Sequence, residues 1–223
     1  MPEDTGETVV PAAAPGLFTI GHSNITLDDF LGLLQQHGID TVADVRTVPR
    51  SRYVPHFNAG QLGEALARRG IDYVPLGQEL GGRPRDNAFY DDQGHVLYGR
   101  LAGTTAFQEG LDRVLARAQT RRIALLCSEE DPSRCHRHLL IGRVLRERGV
   151  ALSHIRRDGR IETEAELAAR NAARTRKPPS STAARRNGRG DLRVRFYQED
   201  RCPVLRHPDH SAARSTIIPG DQP

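Results

Sequence analysis

The chain has 223 residues, which is enough for one domain of ordinary size and an appendage, and its 37% hydrophobic content without Trp predicts that part of it lies outside any core. No stretch approaches the roughly 18 consecutive apolar residues of a transmembrane helix, so we expect no membrane partner. The net charge is +4, and three cysteines in a chain without an export signal predict free thiols in a cytoplasmic protein rather than a disulfide framework.

Short β-like runs alternate with amphipathic helical segments from Leu17 onward, a pattern typical of βαβ units. Before this point, residues 1–16 are acidic and proline-bearing and predict a disordered leader. Apolar runs predict five strands, at residues 17–20, 41–45, 71–76, 122–127 and 150–155. Helical spacing predicts four helices between them, at residues 26–37, 58–69, 105–118 and 135–148. We therefore expect a three-layer α/β domain over residues 17–157, with a mostly parallel, doubly wound sheet of the Rossmann or flavodoxin-like kind.

The segment that follows this domain is basic. From residue 156 to the end the chain has 15 Lys/Arg and 9 Asp/Glu residues, against 17 and 19 before it. Residues 158–190 predict a helix and a basic linker, and residues 191–223 an extension that is either an edge strand or disordered. Such a charge block is typical of a solvated tail, but it also attracts nucleic acid, and both interpretations stay open.

Polar residues follow four of the predicted strands. In a parallel sheet the carboxyl ends of the strands meet at one edge, where ligands bind, so four loops are expected to converge on one crevice. The residues are His22, Ser23 and Asn24 after the first strand, Arg46, Arg50 and His56 after the second, Gln78 and Glu79 after the third, and Cys127, Ser128 and Glu129 after the fourth.

Several of these side chains suit acid–base chemistry or anion binding. His22 is a candidate general base or phosphate contact, because imidazole titrates near neutrality. Arg46 and Arg50 could clamp a phosphate or a carboxylate through two hydrogen bonds each, or could be solvated charges. Arg137, at the start of the fourth helix, is a third candidate for the same role.

Cys127 ends the most hydrophobic predicted strand, and Cys135 and His136 open the next helix. A thiol near a helix N-terminus can be partly thiolate and act as a nucleophile, although a small buried cysteine is an equally ordinary packing residue. We expect Cys135 to pack and His136 and Arg137 to face the crevice.

A zinc site would need four ligands, and Cys127, Cys135, His136 and His138 are of the right types. However, no Cys-x-x-Cys pair is present, and adjacent Cys135 and His136 are expected on different helix faces. We therefore predict neither zinc nor another cofactor.

Four blocks of the sequence, "TIGHSN", "ADVRTVPRSR" followed by "HFN", "YVPLGQELGG" and "CSEEDPSRCHRHLL", resemble the domain of unknown function 488 family over residues 18–155. This resemblance implies a fold and a site rather than a reaction. Its motif positions here are His22, Ser23, Asp44, Arg46, Pro49, Arg50, Gly77, Leu80, Gly81, Gly82, Cys127, Glu129, Cys135, His136 and Arg137.

A looser likeness is to rhodanese-type sulfurtransferases, in which an Asp-Val-Arg sequence ends one strand and a catalytic cysteine ends a later one. In that family the cysteine loop is short and closes on an arginine. Here six residues separate Cys127 from Arg134, and they include Glu129, Glu130 and Asp131. We expect these acids to repel an anion and to raise the pKa of the thiol.

We interpret the chain first as an enzyme, a hydrolase or a transferase, that acts on a phosphate-bearing substrate such as a nucleotide, a nucleoside or nucleic acid. The alternatives are a rhodanese-like sulfur or phosphoryl transferase and a non-catalytic binding module. The basic tail adds nucleic acid as a possible partner. The candidate catalytic residues are His22, Glu129 and Cys127, and the candidate binding residues are Ser23, Arg46, Arg50, His136 and Arg137.

Overall fold

The computed structural model describes residues 16–176, which fold around one β-sheet. Residues 1–15 and 177–223 lie outside the described part, and with them most of the predicted leader, part of the basic linker and the predicted C-terminal extension. The strands are β1 (Gly16–Gly21), β2 (Thr41–Asp44), β3 (Asp72–Pro75), β4 (Arg122–Cys127), β5 (Ser153–Ile155) and β6 (Ile161–Thr163). Their order across the sheet is β3-β2-β4-β1-β5-β6.

The register of the sheet brings the carboxyl ends of β1, β2 and β4 to one edge. β1 and β4 are parallel with Gly21 opposite Cys127, and β2 and β4 are parallel with Asp44 opposite Leu126. β3 and β5 are also parallel to their neighbours. The predicted α/β fold with a mostly parallel sheet is therefore confirmed, and the loops that follow β1, β2 and β4 start side by side.

The sheet has six strands, whereas the sequence predicted five. β6 pairs antiparallel with β5, with Ser153 opposite Thr163 and Ile155 opposite Ile161. A strand of three residues is too short for its period of two to be recognised, and its segment is rich in charge. The antiparallel strand at this edge of the sheet was therefore not predicted.

The helices are α1 (Leu27–Gln36), α2 (Ala59–Ala67), α3 (Gly77–Leu80), α4 (Tyr98–Ala102), α5 (Thr105–Ala118), a π-helix (Arg137–Gly142), α6 (Arg143–Glu147) and α7 (Glu164–Arg176). The hydroxyl of Thr26 accepts a hydrogen bond from the Asp29 N–H at 3.1 Å and so caps the N-terminus of α1. Residues 77–104, for which no strand or helix was predicted, contain the short helices α3 and α4. None of the described helices is long and apolar enough to cross a membrane.

The segment after β4 differs from the single α-helix that the sequence predicted over residues 135–148. Its first part is the π-helix, and only α6 has α-helical hydrogen bonds. A π-turn is wider than an α-turn and is often found at functional sites. Side chains that α-helical spacing would separate can therefore share a face here.

Helices cover both faces of the sheet. Ile123 and Leu125 of β4 pack in one buried cluster with Phe107 of α5 and with residues of the π-helix and α6. Ala124 and Leu126 pack in a second cluster with residues of α1 and α2. Since successive strand residues point to opposite faces, the two clusters lie on opposite sides of the sheet. Burial on both sides explains why β4 is a continuous apolar run.

Candidate functional site at the carboxyl edge of the sheet

A thiol and an imidazole lie together at the end of β4. The Cys127 sulfur is 3.6 Å from Nδ1 of His136, and both side chains are buried. Nε2 of His136 is 3.0 Å from the backbone oxygen of Val45, at the end of β2. A carbonyl oxygen can only accept, so Nε2 carries the hydrogen. In the neutral ring Nδ1 then has a lone pair, which faces the sulfur. The sheet edge thus fixes the imidazole in the orientation that suits a thiol partner.

Cys135 is the second sulfur of this site, and its Sγ is 3.8 Å from the same Nδ1. A hydrogen bond from Cys135 is the main cause that holds the pKa of the Cys127 thiol well below its ordinary value; His136 and Arg137 act in the same direction and burial opposes them. Burial and the neighbouring Cys127 raise the pKa of Cys135 well above its ordinary value. Of the two sulfurs, Cys127 is therefore the one on which a thiolate is favoured, and Cys135 is the S–H donor to it.

The predicted separation of Cys135 and His136 on different helix faces was wrong. Both lie before the first residue of the π-helix, and their donor atoms converge with that of Cys127, so that all three are within 4.8 Å of one another. Two sulfurs and one imidazole nitrogen at this spacing could also hold a soft metal ion. The absence of a cofactor stays a prediction.

Arg137 lies beneath the loop that follows β4 instead of facing a crevice. It is fully buried, and its guanidinium donates to the backbone oxygens of Glu129 at 2.6 Å and Glu130 at 2.5 Å. A Cβ on Gly21 would lie 2.4 Å from Nη1 of Arg137, so only glycine fits in β1 at this point. Within residues 16–176 Arg137 forms no ion pair, and its positive charge favours the nearby thiolate of Cys127.

Two of the three acids in this loop are neutralised by arginines that are distant in sequence, one directly after β5 and one in α7. Glu130 accepts two hydrogen bonds of 2.9 Å from Arg156, and Asp131 accepts one of 2.9 Å from Arg170 in α7. The expectation that the loop acids raise the pKa of the thiol was therefore wrong, since the pKa of Cys127 is lowered. Ion pairs with residues distant in sequence overrule the local run of acids.

His22 and Arg46 form a second buried pair beside the thiol. Arg46 donates to both carboxylate oxygens of Asp44, at 2.9 and 2.6 Å, and its Nη1 is 3.1 Å from Nε2 of His22. Nδ1 of His22 is 2.8 Å from the backbone oxygen of Ser23, so this nitrogen carries the hydrogen and Nε2 accepts from Arg46. Burial lowers the pKa of His22 to about 4, so the ring is neutral at physiological pH.

Ser23, Arg50 and Glu129 lie at the margin of this buried group. Ser23 has a φ of +46°, the only left-handed backbone among the non-glycine residues in the described range, and its N–H donates to the oxygen of Ser128 at 2.8 Å. Strain of this kind often marks functional loops. The side chains of Arg50 and Glu129 are exposed and make no hydrogen bond or ion pair within residues 16–176.

Glycines of the segment around α3 allow a close approach to the site. A Cβ on Gly77 would lie 2.1 Å from the backbone oxygen of Arg46, and a Cβ on Gly82 would lie 2.5 Å from the ring of His136. These contacts give a physical reason for glycine at two motif positions. The segment covers His136, which is 9% exposed.

Two tyrosines belong to the site and were not predicted. Tyr73 in β3 donates to Asp44 at 2.7 Å, and burial, with Cys135 and Cys127 nearby, raises the pKa of Tyr98 in α4. Tyr73 could have been found as a site residue, because it lies in the predicted third strand, which neighbours the second. Tyr98 lies between predicted elements, so no sequence signal pointed to it.

Fold and site together define an α/β protein with a paired thiol and imidazole at the carboxyl edge of a parallel sheet. A family comparison matches residues 26–144 to the domain of unknown function DUF488, and the chain belongs to that family. A search of the curated proteins and a search of the solved structures gave no match. The family resemblance seen in the sequence is thus confirmed, while the looser likeness to rhodanese-type sulfurtransferases has no support from these comparisons.

Proposed function

We propose that this protein is a group-transfer enzyme in which the Cys127 thiolate is the nucleophile. One observation carries the proposal: the Cys127 sulfur lies 3.6 Å from Nδ1 of His136, and the other ring nitrogen is held by the oxygen of Val45. Nucleophilic thiols in enzymes are paired with a base that a third group orients. The lowered pKa of Cys127 agrees with this role.

Cys127, Cys135 and His136 have different roles in the proposed reaction. The proton of the Cys127 thiol moves to Nδ1 of His136, and the thiolate attacks the electrophilic centre of the substrate. The new bond to sulfur forms as the bond to the leaving group breaks, and the leaving group takes the proton from His136. Water or a second acceptor then gives a proton to Nδ1 of His136 and bonds to the transferred group, while the bond to sulfur breaks and the Cys127 thiolate is released. Cys135 stays protonated and stabilises the departing and returning thiolate through its S–H.

An anionic, phosphate-bearing substrate is supported by arginines around this site. Arg50 and Arg52 are exposed in the loop after β2, and Arg83 is exposed in the loop after α3. The two loops touch, because the Arg83 N–H donates to the hydroxyl of Thr47 at 3.1 Å. Arg46 has its main donors on Asp44, so we assign it to positioning His22 and leave phosphate contact to the exposed arginines.

Thiol labelling tests the nucleophile directly. In a Cys202→Ser background, which leaves two thiols, limited iodoacetamide and peptide mass mapping should place the label on Cys127 before Cys135. A screen of phosphorylated and thiol-transfer substrates should then find an activity that Cys127→Ser abolishes. Retention of that activity in Cys127→Ser, or a stoichiometric metal held by the two thiols, would overturn the proposal.

The exposed carboxylate of Glu129 favours a second candidate, in which hydrolysis of a phosphate-bearing substrate uses Glu129 as acid or base and needs no thiol. Glu129→Gln should abolish turnover under this candidate while Cys127→Ser leaves it. Saturable binding without turnover in either screen would instead favour a binding module.

A further inference from the structure

We propose that His138, His154 and Glu164 form a binding site for a divalent transition-metal ion, separate from the thiol site. His138 lies in the π-helix, His154 in β5, and Glu164 is the first residue of α7. Three elements that are distant in sequence thus each supply one donor. Two imidazoles and one carboxylate are the ligands that Zn²⁺, Co²⁺, Ni²⁺ and Fe²⁺ accept in proteins.

The donor atoms have a spacing that suits a metal ion. Nδ1 of His138 and Nε2 of His154 are each 3.0 Å from Oε1 of Glu164, and the three atoms lie within 4.8 Å of one another. Ligand atoms about 2.1 Å from a tetrahedral zinc lie about 3.4 Å apart. The two distances to Oε1 are therefore within about 0.4 Å of the spacing around a tetrahedral zinc.

The two imidazole nitrogens converge on one carboxylate oxygen instead of pairing with one oxygen each. Both rings aim at Oε1 of Glu164, while Oε2 is buried and accepts no hydrogen bond. Among residues 16–176, the cation paired with Oε2 is Nη1 of Arg146 at 3.7 Å, on a side chain that is 59% exposed. A carboxylate has about four acceptor sites on its two oxygens, so the buried Oε2 keeps sites that can take a further donor or a metal ion.

The surroundings resemble those of metal-binding histidines. The hydroxyl of Thr19 lies 2.7 Å from Nδ1 of His154, and such an outer partner fixes the ring with Nε2 toward the ion. Gly142 makes room, because a Cβ there would lie 2.8 Å from Oε1 of Glu164. His138 and Glu164 are 12% and 15% exposed, which leaves an entry path. A bound ion would tie α7 and β5 to the π-helix that follows His136.

Cobalt titration of the full-length, chelator-treated protein tests the site. Co²⁺ should bind at one equivalent and give the d–d absorption of nitrogen and oxygen ligands without sulfur charge-transfer bands. His138→Ala and Glu164→Gln should each weaken binding at least about 10-fold, whereas the Cys127→Ser/Cys135→Ser double variant should bind as the wild type does. His95→Ala is the matched control, because His95 also pairs with a carboxylate, that of Asp91 at 3.0 Å.

The outcomes separate the site from the thiols. Sulfur charge-transfer bands that vanish only in the cysteine double variant would overturn the proposal, and so would equal Co²⁺ affinity in wild type and Glu164→Gln. Circular dichroism establishes that each variant is folded. If His138→Ala is unfolded, Glu164→Gln decides, because its melting temperature should no longer rise with added Co²⁺ as that of the wild type does.

Discussion

Replacing Arg137 with methionine tests how the loop that carries Cys127 is held. Methionine replaces the aliphatic part of the arginine side chain but cannot donate, so the backbone oxygens of Glu129 and Glu130 lose hydrogen bonds of 2.6 and 2.5 Å. Each hydrogen bond from a charged donor contributes about 1.5–3 kcal/mol, so the two together contribute about 3–6 kcal/mol. Removing a buried cation without an ion-pair partner offsets part of this loss. We expect a net loss of about 2–4 kcal/mol in the free energy of unfolding.

Urea unfolding followed by circular dichroism measures this change, with an unchanged slope as the sign that only stability differs. Arg113→Met is the matched control: Arg113 is 56% exposed and pairs with Glu79, so its loss should cost less than about 1 kcal/mol. Equal stability of Arg137→Met and the wild type would refute the account of Arg137 as the anchor of the loop.

Three further changes test other parts of the account. Gly82→Ala should displace His136, because its Cβ would lie 2.5 Å from the ring. We expect this to lower the free energy of unfolding by about 1–3 kcal/mol in urea titration and to slow labelling of Cys127. Gly60→Ala is the control and should not destabilise the protein, because there is open space around Gly60. Tyr73→Phe removes one hydrogen bond of 2.7 Å to a buried carboxylate and should cost about 1.5–3 kcal/mol in the same titration. Deletion of residues 177–223 should weaken salt-sensitive DNA or RNA binding in a filter or anisotropy assay, and unchanged affinity would argue against a nucleic-acid role for the basic tail.

The edge on which the site lies could be predicted because it depends on topology. Alternating strands and helices imply parallel strands, and parallel strands place the residues after β1, β2 and β4 together. His22, Arg46 and Cys127 do lie side by side for this reason. Their expected roles depended on exposure, which periodicity does not give, and Arg46 is buried against Asp44.

What could not be predicted depends on contacts between distant residues. Arg156 and Arg170 reach the acids of the Cys127 loop from 26 to 39 positions away, so a local count of charge gave the wrong sign for the thiol. The π-helix likewise has no α-helical period to recognise. Because His138 lies in this π-helix, α-helical spacing could not predict which residues lie next to it.

The pH dependence of iodoacetamide labelling at Cys127, in the Cys202→Ser background, tests the central claim most directly. An ordinary thiol reacts with a midpoint near its pKa of about 8.5. The hydrogen bond from Cys135 and the charges of His136 and Arg137 predict a rate that is already near its plateau well below that pH, and Cys135→Ala should move the midpoint upward. A midpoint at the ordinary value, unchanged in Cys135→Ala, would contradict the assignment of Cys127 as the nucleophile.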